Sequence, residues 1–158
     1  MNDHSNRKIV TTRILNAPRE IVFSAWTNPE LLERWWGPKG FTNTFHQFDL
    51  RPGGKWEFTM HGPDGGNYQN ESVFVEIKKP DKIVIEHLSN PRFQLTASFV
   101  ADGPGKTKLI FEQVFETVEV YNKVKGFAID ANEENMDRLE EVIRRHGEKT
   151  SNYDLQNQ

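Results

Sequence analysis

"TNPELLERWWGPKGF", residues 27 to 41, sets two adjacent tryptophans at the end of a short helical pattern and follows them at once with Gly37 and Pro38. Pro29 suits a first helical position, Asn28 is a good cap in front of it, and Gly-Pro is a stop. Leu31, Leu32, Trp35 and Trp36 give this helix one apolar face. The stretch before it repeats the device, with Pro18 as the opening and Ile21, Val22, Ala25 and Trp26 as the stripe. The spacing predicts two short helices in succession, about 18 to 26 and 29 to 36. Successive helical side chains point about 100° apart, so Trp35 and Trp36 cannot share one core site. One is expected beneath the short helices against a sheet, the other at the mouth of a cavity.

Outward from these helices the period is two. "KIVTTRIL", residues 8 to 15, precedes them as a strand rich in β-branched residues. "FTNTFHQFDL" follows, then the turn "RPGG" and "KWEFTM", in which Trp56, Phe58 and Met60 alternate with polar neighbours. After the turn cluster "HGPDGGN" come "YQNESVFVEI", "KIVIEHL", "FQLTASFV" and, past "DGPGKT", "KLIFEQVF". The short turns imply an antiparallel meander, because parallel pairing needs crossovers of about a dozen residues or more. From residue 118 a helical period returns, with Ala128, Ala131, Met136, Leu139, Val142 and Ile143 on one side, Asp130 to Glu133 as a capping box inside the helix or at its start, Gly126 leaving that start open, and an end expected near His146-Gly147. Residues 147 to 158 read as a frayed or loosely docked tail. The expected architecture is α+β: a curved antiparallel sheet of about six to seven strands around a long C-terminal helix, with two short helices after the first strand. A sheet wrapped on one helix encloses space near its open end, which the short helices are left to close.

The composition narrows the function classes. A length of 158 residues fits a single domain, 1–158, with an ordered core of about 8–146. With 35% hydrophobic and 27% charged residues there is no run apolar enough to span a membrane. "MNDHSNRK" lacks the apolar segment of a secretory leader, so a cytoplasmic location is expected. There is no Cys, hence neither a disulfide nor a thiolate. A net charge of -3 offers no basic footprint for nucleic acid. His46, His61 and His87 fall on different strands without a metal-ligand spacing, so no metal is expected. No G-x-S-x-G elbow is present, and the Gly-rich "DGGN" and "RPGG" lie between strands rather than before a helix, so neither is a phosphate loop.

The residues resemble a family. "TNPELLERWWGPKGF" followed by "FDLRPGGKWEFTMHGPDGGNY" is similar to the signature of the SRPBCC (START-like, helix-grip) superfamily, in the branch named after the C-terminal domain of the activator of Hsp90 ATPase. Pro29, Glu30, Trp35, Trp36, Gly37, Pro38, Asp49, Arg51, Gly53, Gly54, Met60, Pro63, Asp64, Gly65 and Tyr68 meet the pattern in order, with Trp56 at an aromatic position. The resemblance spans residues 8 to 146 and implies a helix-grip fold with an interior cavity for apolar ligands, without fixing one reaction. Two departures stand out. Ala131-Asn132 occupies the place of a Gly-Trp pair in the last helix, and His87 that of a strand Trp, which implies a more polar cavity wall.

On this basis the candidate ligand-binding residues are Trp36, Trp56, Phe58, Tyr68, Ile85, His87, Phe99, Phe111, Gln113 and Met136. Phe93 and Phe115 share the same aromatic face. Aromatic walls with a few polar groups suit an apolar or aromatic small molecule. Gln113 and Tyr68 are the polar groups expected to orient a ligand carbonyl or hydroxyl. His87 alternates with Ile83 and Ile85, points inward with them, and is the one weak catalytic candidate, since imidazole titrates near neutral pH. The leading expectation is a binding protein without cofactor, monomeric or homodimeric. The alternatives are a cyclase- or hydrolase-like enzyme in the same cavity and a chaperone-associated interaction module.

Overall fold

The computed structural model describes residues 5–156, from residue 147 on by their backbone alone. After a 3-10 turn at Ser5–Arg7 the chain forms β1 (Lys8–Leu15), α1 (Arg19–Thr27), α2 (Pro29–Trp35), β2 (Thr42–Phe48), β3 (Lys55–His61), β4 (Asn67–Lys78), β5 (Lys82–His87), β6 (Phe93–Ala101), β7 (Thr107–Phe115) and α3 (Val118–Gln156). All seven strands form one sheet in the order β1-β7-β6-β5-β4-β3-β2. Every pairing is antiparallel. The tight turns make β2 to β7 a meander, β1 closes on the last strand, and α1 and α2 carry the chain from one edge of the sheet to the other. This is the helix-grip arrangement.

Local chemistry sets the connections. Asn28 Oδ1 accepts a hydrogen bond of 3.0 Å from the Glu30 N–H, satisfying an orphan donor at the start of α2. Gly37, at φ 102°, turns the chain out of α2 toward β2. In the "RPGG" turn a Cβ on Gly54 would lie 2.0 Å from the Asp49 carbonyl oxygen. Gly53 N–H to the Phe74 carbonyl (2.7 Å) and Phe74 N–H to the Gly54 carbonyl (2.9 Å) stitch that turn onto β4.

The core lies between the concave face of the sheet and the helices. Trp26, Trp35, Trp56, Phe74, Phe99 and Phe111 are each at most 2% exposed and meet Met136, Leu139 and Ile143 from α3. Burying rings of this size is the largest apolar contribution a domain like this can draw on.

Helix α3 differs from expectation at its C-terminal end. It starts at Val118, where the helical period returns, with Thr117 Oγ1 accepting from the Val120 N–H at 3.1 Å, and Asp130 and Glu133 lie inside it. It runs on to Gln156, past the stop expected near His146-Gly147. Glycine weakens a helix by about 1 kcal/mol without ending it, and Glu141 supports this region through Arg144 (2.6 Å) and Arg145 (2.7 Å). The expected frayed tail is therefore helical to Gln156; residues 157–158 and the side chains from 147 on lie outside the described residues. Among the described residues no helix is long and apolar enough to cross a membrane.

Candidate functional site

The register of the sheet gathers one set of inward side chains at the end where β7 runs into α3. Gln113 lies opposite Leu95, Phe93 opposite His87, and Phe58 opposite Asn70. Helix α3 crosses this end with Ala131, Asn132 and Asn135, and the α2–β2 turn adds Trp36, Gly37 and Pro38. Between them is a cleft of about 200 Å³, open to solvent on one side. Phe58, Met60, Phe93, Phe111 and Trp36 supply its apolar surface. The rest of the concave face, toward Leu109, Phe99, Ile83 and Phe74, is filled by core side chains.

The two tryptophans of the opening motif divide as expected. Trp35 is 0% exposed, and its indole N–H donates to the Ala25 carbonyl at 2.9 Å, which ties α2 to α1. Trp36 lines the cleft and packs on Trp26, Trp56 and Phe111, with ring centroids 5.7, 5.2 and 6.4 Å away. Arg138 of α3 clamps the turn that carries it. Its guanidinium donates to the carbonyls of Arg34 (2.9 Å), Gly37 (2.8 Å) and Pro38 (3.0 Å). Burial holds this guanidinium below the usual arginine pKa, so the clamp works through a partly desolvated cation with no carboxylate partner in the set.

One wall is a run of side-chain amides. Asn132 Nδ2 donates to Gln113 Oε1 at 2.7 Å, joining α3 to β7, and both residues are 7% exposed. Asn135 stands one helical turn further along the same face. It is 5% exposed, and its Oδ1 is buried without a hydrogen-bond partner among the described residues.

His87 stacks on Phe93 with centroids 4.6 Å apart and 20° between planes. Its Nδ1 lies 3.0 Å from the Pro91 carbonyl and its Nε2 2.9 Å from Asn70 Oδ1. Asn70 is itself oriented by donating to the Tyr68 carbonyl at 3.0 Å. Burial lowers the His87 pKa, against smaller opposing effects of the Pro91 carbonyl and Glu86.

Of the ten sequence-derived candidates, Trp36, Phe58, His87, Phe111 and Gln113 line the cleft. Trp56, Ile85, Phe99 and Met136 are at most 3% exposed and belong to the packed core behind it. Tyr68 does not reach the cleft as expected. It faces the same side as its partner Met60, but at the tip of the β3–β4 hairpin, where it is 48% exposed and its ring lies 6.3 Å from Phe41. Asn70, two residues further into the sheet, takes the polar position instead. The sequence reading marked Asn132 only as a departure that makes the cavity wall more polar, without counting it among the candidate residues, and passed over Asn135. Their signal was available: two amides at i, i+3 interrupt an otherwise apolar helical face. Among the described residues no group of three or more His, Cys, Asp or Glu is placed to hold a metal ion. His46 and His61 bond instead to Thr59 (2.7 Å), Thr44 (2.8 Å) and Asn67 (2.6 Å).

The fold and cleft define a helix-grip protein of the START-like kind. Residues 16–144 match the family described as activator of Hsp90 ATPase homolog 1-like protein, and the chain belongs to that family. Among solved structures it is similar to a protein from Nitrosomonas europaea, at 19% identity and TM-score 0.82 over 92% of this chain and 99% of that one. A protein from Arthrobacter aurescens solved by NMR gives 22% identity and TM-score 0.82 over 92% and 90% of the two chains. Another, from Mycobacterium smegmatis, gives 20% and 0.75 over 90% and 93%. At these identities the likeness is one of fold alone. Compared with curated proteins, the chain matches none in sequence.

Proposed function

We propose that this protein binds a small, mainly apolar molecule in the cleft between the sheet and α3. The observation that supports this most is the lining itself: four aromatic side chains, Trp36, Phe58, Phe93 and Phe111, face a few convergent amides across an unfilled space. The rest of the concave face is packed solid, so the space is local. A cyclase- or hydrolase-like reaction would need His87 as a base. Both of its ring nitrogens already face the Pro91 carbonyl and the Asn70 amide, which favours binding over proton transfer.

Native mass spectrometry tests the reading on the protein as purified and after incubation with indole. A small-molecule adduct that disappears on denaturation supports it, and Trp36→Ala should reduce that adduct. An unadducted mass in both samples, with no saturable change in tryptophan emission on adding indole, would contradict it.

A further inference from the structure

The sheet has two edge strands, β1 and β2, and the chain treats them differently. The β2 edge is interrupted and covered. Its register with β3 shifts between Phe45 and Gln47, and Asn43 Nδ2 donates to the Glu33 and Trp36 carbonyls at 3.2 and 2.8 Å, tying α2 beside it. Bulges and covers of this kind keep an edge from pairing with another chain. The β1 edge has neither. Its register with β7 is continuous from Lys8 to Leu15, it contains no Pro, and among the described residues none of its backbone groups bonds to a turn or helix.

Space lies along this edge. Lys8 to Thr12 line a groove of about 420 Å³ that faces Tyr121 and Ile129 of α3, and Ile14 and Leu15 line a second of about 400 Å³. Strand side chains alternate between faces, so consecutive residues on one wall mean that the backbone edge itself borders the space. On the outer face Val10 and Ile14 are 50% and 46% exposed.

The sequence of β1 is complementary to itself. Opposed residues of an antiparallel pair share a face, so two copies of β1 meet in a register centred on a single residue. Centred on Thr12, Val10 lies opposite Ile14 of the second copy and Ile14 opposite its Val10, so the exposed side chains pack on each other. Arg13, held by Asp137 and Glu140 at 2.9 and 2.8 Å, meets the uncharged Thr11. On β7, Glu112 flanks Val10 and Lys108 flanks Ile14. Each apolar row across the dyad therefore runs Glu112, Val10, Ile14, Lys108, with opposite charges at its ends. Centred on Thr11 instead, Ile14 would meet Lys8 and Ile9 would meet Arg13.

We propose that β1 is a dimer edge: two copies of this chain pair their β1 strands antiparallel about a two-fold axis at Thr12, joining their sheets into one. The occupant is a second copy because one register covers Val10 and Ile14 of both chains at once. A contact one strand wide is small, so the dimer is weak and reversible.

Sedimentation velocity on the full chain from about 1 μM to about 1 mM covers the range of weak association. Two double variants read the register. Val10→Lys with Ile14→Lys sets like charges opposite each other twice, whereas Val10→Lys with Ile14→Glu removes the same apolar pairs but sets opposite charges there. The wild type should dimerise, and the second variant should dimerise at least about tenfold more tightly than the first. The chain has no Cys, so a single introduced one forms disulfides between chains only. With oxidised glutathione, Thr12→Cys should give a linked dimer at least about tenfold faster than Val10→Cys, because Thr12 meets its own copy at the dyad within disulfide reach. That comparison decides the matter even if a double variant does not fold. A wild type monomeric up to about 1 mM would overturn the proposal, whether the edge stays bare or takes a strand from another protein. Equal affinities of the two folded double variants would place the interface elsewhere and overturn it as well, as would linkage of Val10→Cys as fast as that of Thr12→Cys.

Discussion

Trp35 and Trp36 sit edge to face, ring centroids 5.5 Å apart and planes at 71°, yet Trp35 is sealed in the core while Trp36 forms a wall of the cleft. The helix ends between them: Trp35 is the last residue of α2 and Trp36 its C-cap, with extended φ and ψ of -68° and 128°. Two neighbouring residues of one type thereby have different work. Trp35→Ala should cost about 3–5 kcal/mol, as for a fully buried ring. Trp36→Ala should cost less and weaken ligand binding more. Urea unfolding of both variants alongside an indole titration separates them, and equal losses of stability with binding untouched would contradict the division.

Arg138 gathers the carbonyls that end α2 and open the turn. Arg138→Met keeps much of the side-chain volume and leaves those acceptors without their donor. A loss of about 1–3 kcal/mol is expected, together with faster amide exchange at Gly37 and Lys39 and weaker binding in the cleft. Unchanged exchange in that segment would show that the clamp is idle.

Two glycines should respond in opposite directions. Gly54→Ala drives a Cβ against the Asp49 backbone carbonyl and should destabilise by more than about 1 kcal/mol. Gly126 lies within α3, with open space where a Cβ would go. Gly126→Ala should stabilise by about 0.5–1 kcal/mol. Denaturant midpoints of the two variants check both signs.

Burial lowers the His87 pKa, so the folded protein takes up its proton at lower pH than the unfolded chain, for which the value is about 6.5. Between those two values the unfolded state holds more protons, and stability rises with pH. The contribution is complete above about pH 6.5 and is lost as pH falls toward the folded value. The urea midpoint should fall on acidification from about pH 7 to about pH 5, and His87→Gln should flatten that slope. A slope identical in the variant would assign it to other groups.

The sequence made the scaffold legible because its signals are local. Pro29, Asn28 and Gly37-Pro38 punctuate the helices, and the alternation of Trp56, Phe58 and Met60 sets the face of β3. The cleft was half legible, since facing inward does not say whether space or a neighbour lies opposite. Phe99 and Phe111 have the same parity, on β6 and β7, yet Phe99 meets Phe23 (5.5 Å) and Trp26 (6.0 Å) while Phe111 borders the opening. Parity also misplaced Tyr68, because how far along the hairpin the cleft extends is a tertiary property. Asn132 and Asn135 show the converse: their place on an apolar helical face was visible, but a buried amide gains meaning only when its partner, or the lack of one, is known.

The most direct test of the cleft as the binding site is a side-chain NMR titration with 2-naphthol, following the tryptophan indole and asparagine amide N–H signals. The indole of Trp36 and the amides of Asn132 and Asn135 should shift together and saturate, while the Trp35 indole, bonded to the Ala25 carbonyl, stays in place. Saturating shifts confined to residues outside the cleft would contradict the account.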